Sequence, residues 1–298
     1  MTTLRLLKKI QIFFTLLRWD KPSGRLILLI PAGWSLWLTP SAPPQLDLVL
    51  LITAGGIFVS AAGCIANDLW DRKIDRLVIR TKNRPLAKGD IKISTAICIL
   101  LLMLLLSFLV VLSLPLPSRI ICIKIAIISL IPILFYPSAK RWFKYPQLIL
   151  ALCWGFAAII PWAASQSSLS FDPALINCWI ATTSWTFGFD TVYAMADMDG
   201  DAELGLNSSA LTLKNHSKQA VRISYLITSV AIAFAAISAR VNFIFWPIWF
   251  LYSLGMQREI LLLRQPKDVP MSVFGRHFSN QVRLGSLILF GLILGRMS

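Results

Sequence analysis

Long apolar runs alternate with short polar connections along this chain, at residues 24–38, 46–66, 93–114, 120–136, 146–164, 174–194, 220–237, 243–256 and 281–294. Most approach the ~20 residues a helix needs to cross the hydrocarbon of a bilayer. A continuous apolar run of this kind is helical, because in lipid only a helix pairs its own backbone. The short alternating segments of a membrane barrel are absent. The pattern predicts an all-α polytopic membrane protein, a nine-transmembrane-helix bundle formed as one integral-membrane domain over residues 1–298. Before the first run, Leu6, Leu7, Ile10, Phe13, Phe14 and Leu17 oppose Arg5, Lys8 and Lys9. That predicts a helix lying on the membrane surface, with an elbow by residue 22.

Charge fixes the orientation. Of 29 Lys and Arg, all but Arg119, Lys124, Arg240 and Arg296 fall in the segments that share a side with the N-terminus. Basic residues accumulate on the cytoplasmic side, so the reading is N-terminus cytoplasmic. The same rule accounts for the net charge of +15 without invoking nucleic acid. A hydrophobic content of 56% with only 14% charged residues excludes an ordinary soluble domain. Met1 to Lys21 reads neither as a secretory signal nor as a transit peptide. Cys64, Cys98, Cys122, Cys153 and Cys178 lie singly inside apolar runs, which implies neither a disulfide framework nor a zinc site. His216 and His277 stand far from the acidic clusters, which argues against histidine-metal or Ser-His-Asp chemistry.

Acidic residues are scarce and concentrated. Asp68, Asp71, Asp75, Asp190, Asp197, Asp199, Asp201 and Glu203 make up more than half of the fourteen. They flank two polar segments, about 67–92 and 190–216, each at the far end of an apolar run. Read as a helix leaving the membrane, the first places Asn67, Asp71 and Asp75 on one stripe, with Asp68 beside them. In the second, Tyr193, Asp197 and Asp201 follow at steps of four. Four crossings separate the clusters, so both fall on the cytoplasmic side.

Like charges at helical spacing repel, and a hard divalent cation bound to phosphate oxygen relieves that repulsion. Basic residues follow each cluster or lie near it: Arg76, Arg80, Lys82, Arg84 and Lys88, then Lys140, Arg141 and Lys144. Two arrangements satisfy this pattern. The basic residues neutralise the acids directly, or Mg²⁺ bridges the carboxylates to a diphosphate whose other oxygens the cations hold. The apolar surroundings suit a lipid-like substrate, and aromatic faces along its path could stabilise a carbocation. A divalent-cation transporter is the rival from another class, but no acidic residue marks a route across the bilayer mid-span.

The motifs Asn67-Asp68-x-x-Asp71-x-x-x-Asp75, Arg80-Thr81-x-Asn83-Arg84-Pro85-Leu86 and Asp190-Thr191-x-Tyr193-Ala194-x-x-Asp197-x-x-x-Asp201 together resemble the UbiA-type membrane prenyltransferases. The likeness extends to Asp20-Lys21-Pro22-x-Gly24 and Tyr136-Pro137-x-x-Lys140-Arg141, and is greatest to the 4-hydroxybenzoate polyprenyltransferase branch. It implies a central cavity capped by the two acidic loops, with the cytoplasm-facing site of an enzyme in a bacterial inner membrane. The implied reaction is Mg²⁺-dependent transfer of a polyprenyl chain from its diphosphate to the ring carbon ortho to the hydroxyl of 4-hydroxybenzoate. That is a step towards ubiquinone or plastoquinone. Homogentisate, a naphthoate or a chlorin are the alternative acceptors.

The resemblance also distributes roles. Asp68, Asp71, Asp75, Asp197 and Asp201 would bind metal, and Asn67, Arg84, Lys140 and Arg141 the diphosphate. Arg25 and Arg141 would take the acceptor carboxylate, while Asp190 and Tyr193 orient or deprotonate the phenol. One departure stands out. The family carries Lys in Gly-x-Lys-Ser-Thr-Ala, where this chain has Gly205-Leu206-Asn207-Ser208-Ser209-Ala210.

Overall fold

Each apolar run folds as a helix, and several helices continue beyond their apolar stretch. The computed structural model describes residues 2–20, 23–78, 80–263 and 271–298, without the side chains of residues 2–5, 23, 25, 271 and 272. In chain order the helices are α1 (Thr2–Leu16), α2 (Ser23–Leu38), α3 (Leu46–Asp75), α4 (Pro85–Lys88), α5 (Ile93–Leu112), α6 (Leu116–Phe135), α7 (Pro146–Gln166), α8 (Pro173–Met195), α9 (Met198–Glu203), α10 (Ser209–Leu213), α11 (Ser217–Ser238), α12 (Phe245–Leu262) and α13 (Met271–Met297). A 3₁₀ segment, Tyr136–Arg141, continues from α6.

Among the described residues, six helical stretches are long and apolar enough to cross a membrane: Leu46–Asp75, Ile93–Leu112, Leu116–Arg141, Pro146–Gln166, Ser209–Ser238 and Val273–Met297. Leu26–Leu38 is a shorter apolar helix. The sequence runs at 174–194 and 243–256 also fold as helices, but more polar ones. In α8 the cause is a series of threonines whose hydroxyls return to the preceding turn. Thr182 donates to Cys178 O and Thr186 to Thr182 O, each at 2.8 Å. These bonds satisfy both hydroxyls inside the helix, so neither needs a polar partner on a neighbouring helix.

The packing follows from that position. α8 lies chiefly against α11 and α7, while α3 pairs with α5 and α13 with α2 and α12. The main core joins α2, α7, α8, α11, α12 and α13 around Trp34, Trp162 and Trp185, all fully buried. Trp34 and Trp185 stack tilted at 5.0 Å, and their indole N–H groups donate to Gly285 O and Gln281 Oε1 of α13. A second core joins α1, α3, α4 and α5 through Leu16, Leu17, Ala62, Ile65 and Leu86. On α1, Leu6, Leu7, Ile10 and Phe14 remain exposed, the face expected to meet the membrane surface. All five cysteines are free.

Candidate active site

α3 runs nine residues past its apolar stretch and still buries Asp68, Asp71 and Asp75. Buried carboxylates on successive turns need counter-charges, and three other segments supply them. Arg18, just after α1, donates to Asp68 Oδ1 at 2.7 Å. Arg84, at the start of α4, reaches Asp68 Oδ1 at 3.2 Å and Asp75 Oδ2 at 2.9 Å. From the 3₁₀ segment, Lys140 pairs with Asp71 Oδ2, and Arg141 donates to Asp71 Oδ1 at 3.1 Å.

The loop after α3 folds back on itself to bring these cations in. The Thr81 hydroxyl donates to Asp75 O at 3.1 Å and Arg84 N–H to Thr81 O at 2.9 Å. Pro85 opens α4, where its missing N–H costs nothing. Gly89, with φ 83°, closes it in the left-handed conformation that glycine accepts freely.

The second cluster departs from one continuous helix. α8 ends at Met195, Asp197 has φ −107° and ψ 4°, and a short new helix begins at Met198. Asp201 N–H still bonds Asp197 O at 2.8 Å, so the two acids stay one turn apart. Arg80 crosses to this cluster from the loop after α3. Its Nε donates to Asp197 Oδ1 at 3.0 Å and its Nη2 to Asp197 Oδ2, while its Nη1 meets the Tyr193 hydroxyl at 2.5 Å. The guanidinium lies 4.9 Å above the Tyr193 ring. Burial, reinforced by the charge of Asp197, pushes the Asp201 carboxyl up to about 6.

Both clusters open into one cavity of about 800 Å³ at a single end of the bundle. Asn67, Asp71, Asp75, Asp190, Tyr193, Asp197, Asp201 and Glu203 line it, with Arg18, Arg80, Arg84 and Lys140 among them. Cys64, Ile74, Tyr136 and Leu150 contribute less polar wall.

Two of the residues singled out in the sequence do not reach this lining. Asp68 is fully buried behind it, with Oδ1 taken by Arg18 and Arg84 and Oδ2 lacking any hydrogen bond. On the helix it shares the face of Asp75, seven residues on, but Arg18 and Arg84 cover it from the cavity. Arg141 stands outside the wall, held by Pro137 O, Trp70 O and Asp71, with its guanidinium 5.8 Å from the Trp70 ring. Arg25 belongs to α2, but its side chain, like Lys21 and Pro22, lies outside the described residues.

Conversely, Arg18, given no role in the sequence, and Arg80, seen there as one cation among several, line the cavity. Both lie in non-periodic segments, where spacing gives no sign of direction. Asn207, which stands in place of the family lysine, also lines the cavity, and its N–H donates to Lys140 O at 2.7 Å. Among the described residues no group of three or more His, Cys, Asp or Glu is already gathered as a metal cage. Asp68, Asp71 and Asp75 of the first cluster and Asp197 of the second are held by the chain's own cations.

Comparison with known proteins agrees with this architecture. The model of the UbiA prenyltransferase family matches residues 28–280. A 4-hydroxybenzoate solanesyltransferase from Synechocystis sp. is 38% identical over 281 residues, covering 94% of this chain and 94% of the relative. Among solved structures, the apo form of a UbiA homolog from Aeropyrum pernix K1 superposes with a TM-score of 0.75 at 22% identity, covering 90% of this chain and 97% of that one. A UbiA homolog from Archaeoglobus fulgidus bound to GPP and Mg²⁺ gives 0.66 at 18% identity, covering 93% and 99%. Through this match over most of its length, and with its apolar helices, the chain belongs to the UbiA prenyltransferase family and is an integral membrane protein.

Proposed function

We propose that this protein transfers a polyprenyl chain from its diphosphate to the ring carbon ortho to the hydroxyl of 4-hydroxybenzoate, in the biosynthesis of ubiquinone or plastoquinone. The observation that carries the proposal is the single cavity in which residues of both acidic clusters meet four cations. The solanesyltransferase relative supports the choice of acceptor. The site faces the cytoplasm of a bacterial inner membrane, in a single nine-crossing domain whose N-terminus is cytoplasmic. The basic bias of the segments on that side supports this orientation.

The donor set fits Mg²⁺, since hard carboxylate and amide oxygens converge from two sides beside groups suited to phosphate. Asn67, Asp71 and Asp75 would hold the metal with its diphosphate from α3, and Asp197 and Asp201 from the α8–α9 junction. When bound, Mg²⁺ neutralises charge on the departing diphosphate. Arg80, Arg84 and Lys140 exchange carboxylate for phosphate oxygen as substrate enters, which frees Asp71, Asp75 and Asp197 for the metal. Arg80 and Arg84 offer planar forks, and Lys140 a point charge. With asparagine at 207, the cationic role of the family lysine falls to these three and Arg18.

Asp68 and Arg141 take supporting roles in this scheme. Asp68 holds Arg18 and Arg84 from behind, and Arg141 orients Asp71. The acceptor carboxylate is assigned to Arg25, with Arg141 reaching it only by releasing Asp71.

Departure of diphosphate leaves an allylic cation, which the electron-rich ring of the acceptor attacks before losing a proton. Tyr193 and Asp190, one turn apart on the cavity side of α8, orient the phenol and accept that proton. Membranes containing the protein, given a labelled polyprenyl diphosphate and each of 4-hydroxybenzoate, homogentisate, a naphthoate and a chlorin, test the reading. Label should pass to 4-hydroxybenzoate. Transfer only to another acceptor would reject the assignment, and donors of graded length fix the tail in the same assay.

A further inference from the structure

Outside the cavity, α11, α12 and α13 meet around a buried polar chain that the proposed chemistry does not use. His277 of α13 is only 3% exposed. Its Nε2 lies 2.8 Å from the Tyr225 hydroxyl of α11, and its Nδ1 lies 3.0 Å from Glu259 Oε2 of α12. The other oxygen of Glu259 accepts from Asn280 Nδ2 at 2.9 Å, returning the chain to α13 one turn further on. The Tyr225 and His277 rings stack nearly parallel, 14° apart. Tyr225 also fills a notch in α8, where a Cβ on Gly188 would come within 2.5 Å of its ring.

Lipid gives helices no hydrophobic reason to prefer one rotation over another, so interhelical hydrogen bonds of this kind select it. Here they fix the rotation of α13 against α11 and α12. The residue beside His277 then becomes informative. The Phe278 ring packs edge-on to Phe189 at 5.8 Å and tilted against Tyr193 at 6.1 Å. Tyr193 is therefore held between Phe278 on one side and Arg80, at its ring face and hydroxyl, on the other.

We propose that the Tyr225–His277–Glu259–Asn280 chain is a positioning device for Tyr193. It sets the rotation of α13, and Phe278 transmits that setting to the tyrosine ring. His277, Tyr225 and Glu259 are thus positioning residues, acting through Phe278. The catalytic consequence rests on the proposed role of Tyr193 towards the acceptor; the positional claim does not.

The test uses the full-length protein in lipid nanodiscs, with 3-fluorotyrosine at position 193 and, as a control, at position 145. Tyr225→Phe keeps the ring in the Gly188 notch and removes only the hydroxyl, and Glu259→Gln keeps the shape and removes the charge. Both substitutions should move the position-193 fluorine resonance and leave that at 145 in place. With Phe278→Leu already present, Tyr225→Phe should produce no further movement. An unmoved 193 resonance in both variants, or equal movement at 193 and 145, overturns the proposal.

In turnover, Tyr225→Phe should lower kcat on the order of tenfold, short of the ~100-fold that a full 1 Å misplacement brings. Donor KM should stay constant, and the loss should not add to that of Tyr193→Phe. A moved resonance with unchanged turnover upholds the positioning chain and rejects Tyr193 as the acceptor's partner, so the two failures are told apart. Additive losses in turnover count against transmission through Tyr193.

Discussion

Asp68 and Asp71 lie three residues apart on one helix, yet the structure gives them opposite expected phenotypes. Asp68 is fully buried and holds two guanidinium groups that retain only 21% and 16% side-chain exposure. Asp68→Asn removes the charge at nearly constant volume. It removes the charge that Arg18 and Arg84 share and leaves Arg84 with Asp75 as its carboxylate partner. Breaking a buried ion pair costs about 3–5 kcal/mol, and the residual exposure of both arginines places this change near about 3 kcal/mol. The expected result is a drop of several degrees in thermal unfolding in detergent. Turnover per folded molecule, measured well below that temperature, should remain within about tenfold of wild type, since no step of the chemistry meets Asp68 directly. Asp71→Asn should do the reverse. Asp71 lines the cavity, and Lys140 and Arg141 both lie against solvent or neighbouring carbonyls that can absorb its loss. Its substitution should leave unfolding almost unchanged and cut turnover at least about 100-fold, as removal of one charge-stabilising group does elsewhere. Paired thermal-shift and labelled-donor measurements on the two variants decide the matter. An Asp68→Asn protein as stable as wild type but inactive would refute the assignment and return Asp68 to the metal-binding set.

Other consequences can be checked on the same preparations. Arg80→Lys keeps a positive charge but loses the two-pronged grip on Asp197 and the bond to Tyr193, so donor KM should rise about tenfold or more in steady-state assays; an unchanged KM would remove Arg80 from the diphosphate site. Gly188→Ala pushes a methyl into the Tyr225 ring and should cost about 1–3 kcal/mol, read as a lower unfolding temperature. Stability equal to wild type would show that α8 and α11 are not closely packed there. Chelation of divalent cations should abolish prenyl transfer and Mg²⁺ should restore it, while circular dichroism stays constant because the chain's own cations pair the acids without metal. Residual transfer at full rate in excess chelator would reject the proposed metal role.

How far the sequence reveals this arrangement depends on whether a residue lies in a periodic segment. The apolar runs announce their helices because burial in lipid demands continuous apolarity. The i, i+4, i+8 spacing of Asn67, Asp71 and Asp75 already marks the stripe that lines the cavity. Asp68 lies beside that stripe, and the helix pattern alone could not show that Arg18 and Arg84 cover it. Arg80 could be seen only as one cation among several, since a loop carries no phase to say where it points. The His277 chain left no trace at all. Tyr225 and Glu259 are 52 and 18 residues from the histidine, and each looks like an ordinary polar residue near or inside an apolar run.

On the proposed function, the two arrangements left open by the charge pattern, mutual neutralisation and a diphosphate clamp, are successive states of the same residues. Without ligand, Arg80 closes on Asp197, Lys140 on Asp71 and Arg84 on Asp75. Unpaired, those acids would repel along α3 and across the cavity, and partly buried cations would cost several kcal/mol each. Each pair, however, holds one group suited to phosphate and one suited to a hard metal. On the proposed scheme a metal diphosphate exchanges the pairs at Asp71, Asp75 and Asp197 for carboxylate–metal and cation–phosphate contacts, so the same residues serve both arrangements. On this scheme the cost of parting them is set against binding, and the apparent donor affinity should rise when one pair is weakened on its acidic side without loss of a metal ligand. Asp68→Asn is such a change, because it loosens Arg84 and Arg18 while leaving Asp71, Asp75, Asp197 and Asp201 intact. Donor binding measured by calorimetry should be as tight as in wild type or tighter. Weaker binding would show that Asp68 holds those arginines in the geometry the phosphate requires.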